Sequence, residues 1–133
     1  MRQRWILVFE DDPDLHEFYL EALASLGMVE IHLRPESALD WVAGADLVVT
    51  DLEMPGMGGL GLLRWMRQHE PFVPTILVTA VPQGPRFEAA RSLSDATLAK
   101  PFEIDELRAI ARDLLEPPDQ VRDGGSDWGT RAA

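Results

Sequence analysis

Two kinds of hydrophobic pattern alternate along the chain. Trp5-Ile6-Leu7-Val8-Phe9 is an unbroken apolar run closed by Glu10-Asp11-Asp12-Pro13. That is the pattern of a strand buried on both faces. Asp12 then stands as a helix N-cap, with Pro13 at the first helical position. Leu15, Phe18, Tyr19, Ala22, Leu23 and Leu26 recur at helical spacing, which predicts a helix with one apolar face, ended by Gly27. Val29, Ile31 and Leu33 alternate with Glu30, His32 and Arg34, as in a second, less buried strand.

The same reading predicts a short helix over Pro35 to Ala43, a third strand over 46–51 and a glycine-rich loop over 54–59. A helix follows from Leu60 to His69, then a fourth strand over 74–80. Pro82, Gly84 and Pro85 delay the next helix, Arg86 to Leu93. A short strand over 96–99 leads to a strongly amphipathic helix, Glu103 to Leu115, whose acidic first turn suits the helix dipole. Residues 1–116 read as one domain. Residues 117–133 are polar and glycine-rich and read as a disordered tail, in which Trp128 is the one large apolar residue. Strands alternating with helices imply a parallel sheet covered on both faces. Ligands bind such sheets beyond the carboxyl ends of the strands.

Composition narrows the chemistry. There are no cysteines, which excludes disulfides, thiolate metal sites and Cys nucleophiles. No apolar run approaches the roughly 20 residues of a membrane span, and no signal peptide is visible. These features point to a cytoplasmic protein without a membrane partner. The net charge of -11 argues against a nucleic-acid partner, which requires a basic footprint. The basic residues are 11 arginines and a single lysine, Lys100.

Polar groups gather where predicted strands end. Glu10 and Asp11 end the first, Asp51 the third, Thr79 the fourth and Lys100 the fifth. Each alone has a bland reading as a cap, turn or surface residue. If the first and third strands are neighbours, however, three carboxylates converge and need a cation. A hard divalent ion with oxygen ligands, such as Mg²⁺, meets that need. Carboxylates, a metal and a fixed positive charge are the parts of phosphoryl transfer to a carboxylate. Asp51, alone at the end of an apolar strand, is the candidate nucleophile.

Four segments taken in order resemble a response-regulator receiver domain over about residues 5 to 115. They are Ile-Leu-Val-Phe-Glu10-Asp11-Asp12-Pro13, Val-Val-Thr-Asp51-Leu-Glu-Met-Pro55-Gly56-Met-Gly-Gly59, Ile-Leu-Val-Thr79-Ala80 and Lys100-Pro101-Phe102. The resemblance implies a flavodoxin-like, doubly wound α/β fold: a five-stranded parallel sheet of order 2-1-3-4-5 with five helices. It implies that Asp51 accepts the phosphoryl group and that Glu10 and Asp11 hold Mg²⁺ with Asp51, Asp11 being the direct ligand of the pair. The Glu53 backbone carbonyl would complete the metal shell. Thr79 and Lys100 would bind phosphoryl oxygens, Ala80 would leave room for the group, and Pro101 would follow a cis bond. Glu53 and Val81 would tune the site.

The chain departs from the family pattern at Thr97, where members often carry a Tyr or Phe switch residue, and at Ser94-Asp95-Ala96 before the fifth strand. The implied function is signalling, not metabolic catalysis. A histidine kinase or phosphotransfer protein would donate to Asp51, and a changed conformation would reach a downstream protein, with a homodimer as one form. Without an output domain in these residues, a stand-alone receiver is expected. Two alternatives are a pseudo-receiver binding module and, from Glu10 with Asp51-Leu52-Glu53, a Mg²⁺-dependent phosphodiester enzyme similar to the topoisomerase–primase domain.

Overall fold

Five short segments form the strands β1 (Trp5–Phe9), β2 (Met28–His32), β3 (Leu47–Asp51), β4 (Thr75–Thr79) and β5 (Ala96–Ala99). All pairings are parallel and the order is β2-β1-β3-β4-β5. The computed structural model describes residues 2–116, so the expected tail at 117–133, Trp128 included, lies outside the described residues.

The helices are α1 (His16–Leu23), α2 (Gly58–His69), α3 (Pro85–Leu93) and α4 (Ile104–Leu115). They cover the sheet on both faces, and the alternation of side chains within each strand sorts the core. Ile6, Val8, Leu47, Val49, Ile76 and Val78 point to the face covered by α1 and α4, where Leu23, Leu107 and Ala111 meet them. Leu7, Phe9 and Val48 point the other way, to Leu62 and Met66 of α2, and Leu77 meets Phe87 and Ala90 of α3. Every residue of β3 and β4 is buried, as continuous apolar runs require in a sheet covered on both faces. Each fully buried Leu or Ile there contributes about 1.5–3 kcal/mol. Among the described residues no helix is long and apolar enough to cross a membrane.

Three local details differ from the pattern-based expectation. The segment read as a second helix is wound as two 3₁₀ turns, Pro35–Ser37 and Leu39–Gly44, separated at Ala38 by a φ of -145°. Among the described residues there are therefore four α-helices, with these 3₁₀ turns in place of the fifth helix expected. α1 stops at Leu23, before Leu26, and Gly27 serves a different purpose. A Cβ there would sit 2.7 Å from the Arg4 carbonyl oxygen, so the glycine lets the turn pass against the start of β1. α2 begins at Gly58, inside the stretch read as loop, because its first turn packs against the end of β3.

Candidate functional site

The carboxyl ends of β1, β3, β4 and β5 lie at one edge of the sheet, and polar residues that end or follow them, Glu10, Asp51 and Lys100 foremost, form a single cluster. Glu10 and Thr79 are fully buried and Asp51 is 5% exposed. Register brings them together. Phe9 pairs with Thr50, Asp51 with Val78, and Thr79 with Ala99, so the strands end side by side. A backbone bond from Lys100 N to the Thr79 carbonyl (2.8 Å) carries the β4–β5 ladder to the lysine.

Lys100 spans two carboxylates. Its Nζ lies 3.0 Å from Glu10 Oε1 and 2.9 Å from Asp51 Oδ2. Burial works against its charge, but hydrogen bonds to Asp51 and Glu10 carry its pKa above the ordinary lysine value. The same burial acts on Asp51. Loss of water, with the nearby Glu10 charge, pushes its carboxyl up to about 6 against the opposing bond from Lys100.

Glu10 is satisfied on both oxygens. Oε1 accepts from the Tyr19 hydroxyl at 2.8 Å as well as facing Lys100, and Oε2 accepts from the Asp12 amide at 3.2 Å. Asp12 also caps a 3₁₀ turn, Pro13–Leu15, that leads into α1, accepting from Asp14 N.

Carboxylate oxygens of Glu10, Asp11 and Asp51 all lie within 4.8 Å of one another. Against these three carboxylates Lys100 supplies one positive charge, 3.0 Å from Glu10 and 2.9 Å from Asp51. An all-oxygen set with uncompensated negative charge fits a hard divalent cation.

The loop after β3 closes over this edge. Glu53 N donates to Asp51 Oδ1 at 3.3 Å, while the Glu53 carboxylate turns to Arg86 at the start of α3, 3.0 Å away. This side chain therefore does not join the acidic cluster, as an acidic set of the topoisomerase–primase kind would require. Thr79 Oγ1 accepts from Val81 N at 3.0 Å, which leaves its hydroxyl proton as a free donor. Ala80, Val81 and Pro101 are exposed at the rim. The Lys100–Pro101 bond is cis. Thr97 is half-buried on β5 opposite Leu77, with no ring near the pocket at that position.

Two residues that sequence reasoning passed over take part. Tyr19 counted only as one position of the apolar face of the first helix, yet its hydroxyl is the polar end of that face. A buried strand-end glutamate demands donors, and an inward tyrosine nine residues later is the signal that points to one. Arg86 carried no such signal, because its pairing with Glu53 depends on where the loop after Thr79 brings α3.

A family model for the response regulator receiver domain matches residues 6–112. Response regulator Rre1 of Synechocystis sp. is 30% identical over 129 residues, covering 92% of this chain and 56% of that protein. The regulatory protein AtoC of Escherichia coli is 34% identical over 116 residues, covering 84% of this chain and 25% of AtoC. The chain thus spans about half or less of the length of these curated relatives. Among solved structures, the response regulator TrrA of Thermotoga maritima, in complex with Mg²⁺-BeF, superposes with a TM-score of 0.74 at 31% identity. The match covers 84% of this chain and 99% of TrrA.

Proposed function

This chain belongs to the response regulator receiver family, and from that premise we propose that Asp51 is its phosphoacceptor. The observation that carries the reading is the position of Asp51, buried at the end of β3 with one oxygen on the only lysine of the chain. An Asp51 oxygen attacks the donor's phosphorus. The new O–P bond forms as the bond from phosphorus to the donor's imidazole nitrogen breaks, and the imidazole departs with that bond's electron pair. Lys100 follows the negative charge outward onto the phosphoryl oxygens. The Thr79 hydroxyl, freed as a donor by its acceptor role toward Val81, binds one of those oxygens. Ala80 leaves room for the group, and Pro101 holds the chain beside Lys100.

The acidic cluster would hold Mg²⁺ through Asp11 and Asp51, with Glu10 behind them and the Glu53 carbonyl as a further ligand. When bound, the ion neutralises charge on the transferring group. Glu53 and Val81, on the rim, tune access to the acyl phosphate. Receivers are paired with histidine kinases, and a kinase or a histidine phosphotransfer protein is the donor proposed here. The altered switch position at Thr97 leaves Thr79 and α3 to carry the change to a downstream protein or a second copy of the chain.

Incubation with acetyl phosphate and Mg²⁺, read by intact mass, tests the assignment. The protein gains about 80 Da, the mass of one phosphoryl group, and Asp51→Asn gains nothing. A folded wild-type protein that takes up no phosphoryl group supports a pseudo-receiver instead. Cleavage of nucleic acid under the same conditions would favour the phosphodiester reading.

A further inference from the structure

Lys100 has two partners and one charge. While Asp51 is a free carboxylate, Nζ serves both Asp51 Oδ2 and Glu10 Oε1. An acyl phosphate on Asp51 moves the negative charge outward from that carboxylate and draws Lys100 toward it, away from Glu10. Glu10 is fully buried with Lys100 in place, so the lysine's departure removes the one cation paired with it. A buried carboxylate abandoned by its cation is strongly unfavourable unless other donors hold it. Two other donors exist among the described residues, the Asp12 amide on Oε2 and the Tyr19 hydroxyl on Oε1, the oxygen that Lys100 would vacate. Tyr19 is itself fully buried and packed against Phe102, with ring centroids 5.5 Å apart, so its hydroxyl is fixed in position. The Tyr19 bond is shorter, at 2.8 Å, than the Lys100 contact it would outlast, at 3.0 Å.

We propose that Tyr19 is a positioning residue for phosphorylation, whose hydroxyl holds Glu10 in place so that Lys100 is free to move from Glu10 to the phosphoryl group. The inference rests on Asp51 being the phosphoacceptor. It makes the glutamate at position 10 and the tyrosine at position 19 a functional pair, one supplying the buried charge and the other its standing donor.

Beryllofluoride with Mg²⁺, a phosphoryl mimic, is the probe, and its dissociation constant is measured by calorimetry on the whole chain. Tyr19→Phe keeps the ring and removes only the hydroxyl. It is expected to weaken beryllofluoride binding by about tenfold, because the hydroxyl is one of two donors on Oε1 in the free protein and the remaining one once Lys100 has moved, while the midpoint for Mg²⁺ alone stays within about twofold. In a Glu10→Gln background, where no buried charge is left behind, the same change is expected to alter binding by less than about twofold. Equal losses in both backgrounds, or no loss in either, overturn the proposal, since a merely structural tyrosine would act without regard to the charge at position 10. Failure of the wild-type protein to bind overturns the phosphoacceptor reading and this inference with it. Wild-type binding that is indifferent to Tyr19→Phe overturns this inference alone.

Should Tyr19→Phe not fold, the wild-type protein suffices, because Tyr19 is the only tyrosine in the chain. A tyrosine ¹³Cζ label then reports that hydroxyl by itself. Its resonance is expected to move when beryllofluoride binds and Lys100 leaves the shared oxygen. An unmoved resonance in the saturated complex overturns the proposal.

Discussion

Asp51 Oδ2 accepts a hydrogen bond from Lys100 Nζ at 2.9 Å, although 49 positions separate the two residues. The bond does not offset what Asp51 loses by leaving water, because its carboxyl still titrates at about 6, above the ordinary value of 3.8. Between those values the folded protein holds a proton that the unfolded chain has released. Stability therefore falls as pH rises through that window, and at neutral pH the ionised Asp51 weighs against the fold. Asp51→Asn is expected to stabilise the protein by about 1–3 kcal/mol at pH near 7, with the gain disappearing toward pH near 4. Urea unfolding at the two pH values measures it.

Divalent cations are expected to act in the opposite direction. Mg²⁺ at about a hundred times its dissociation constant adds about 2.7 kcal/mol to a protein that binds it only when folded. Protons compete for Asp51, so this stabilisation is expected to fade as pH falls below about 6. Thermal melts with Mg²⁺ and with a chelator measure the difference. The Mg²⁺ increment is expected to be largely lost in Asp51→Asn, and an undiminished increment there would place the ion elsewhere.

The only tyrosine supplies an optical check on the pocket. Burial, together with the neighbouring Glu10 charge, drives the Tyr19 hydroxyl well above its ordinary pKa of 10. Stability from the neutral hydroxyl is thus complete below the ordinary value and declines as pH rises above it. Tyrosinate absorbance is expected to appear together with loss of far-ultraviolet circular dichroism in an alkaline titration. A tyrosine that ionises in the folded protein near its ordinary pKa would contradict the buried bond to Glu10.

Gly59 lies where α2 crosses the end of β3. A Cβ on it would run into the Asp51 carbonyl oxygen, with Leu52 Cα only 2.8 Å away, and backbone atoms have little room to yield. Gly59→Ala is expected to destabilise the protein by about 1–3 kcal/mol and to disturb the acidic pocket at the same time. Denaturant unfolding reports the first effect, and the Mg²⁺ midpoint reports the second.

Much of this architecture was legible in the residue pattern, because β1, β3 and β4 are short, mostly apolar runs and β2 alternates apolar with polar residues. The strand ends carrying Glu10, Asp51, Thr79 and Lys100 could be located in the same way. Their convergence followed from the resemblance, since apolar runs do not state which strands are neighbours. The winding of 35–44 was not legible, because the spacing of Ala38, Leu39 and Val42 does not separate an α-helix of about two and a half turns from two short 3₁₀ segments. Gly58 and Gly59 looked like loop by composition, whereas the positive φ of Gly58 and the small size of Gly59 are what let a helix begin against β3. Tyr19 and Arg86 were missed for a related reason. Their importance lies in one polar atom, and hydrophobic periodicity records only the side chain as a whole.

Helix α2 brings no acidic residue to its own first turn. That charge comes instead from Glu36, in the 3₁₀ crossover after β2, whose Oε2 accepts from Met57 N at 2.7 Å beside Gly56, itself at a φ of 79°. Burial opposes ionisation of Glu36 only slightly, and its backbone bonds, its own amide first and then Met57, hold its carboxyl below the ordinary value. The stretch that follows Asp51 is thereby moored to the crossover that leaves the edge strand β2, by a tether that persists into mildly acidic solution. A protein gripping the crossover near Glu36 would have its hand on the same rope that steadies the loop beside Asp51.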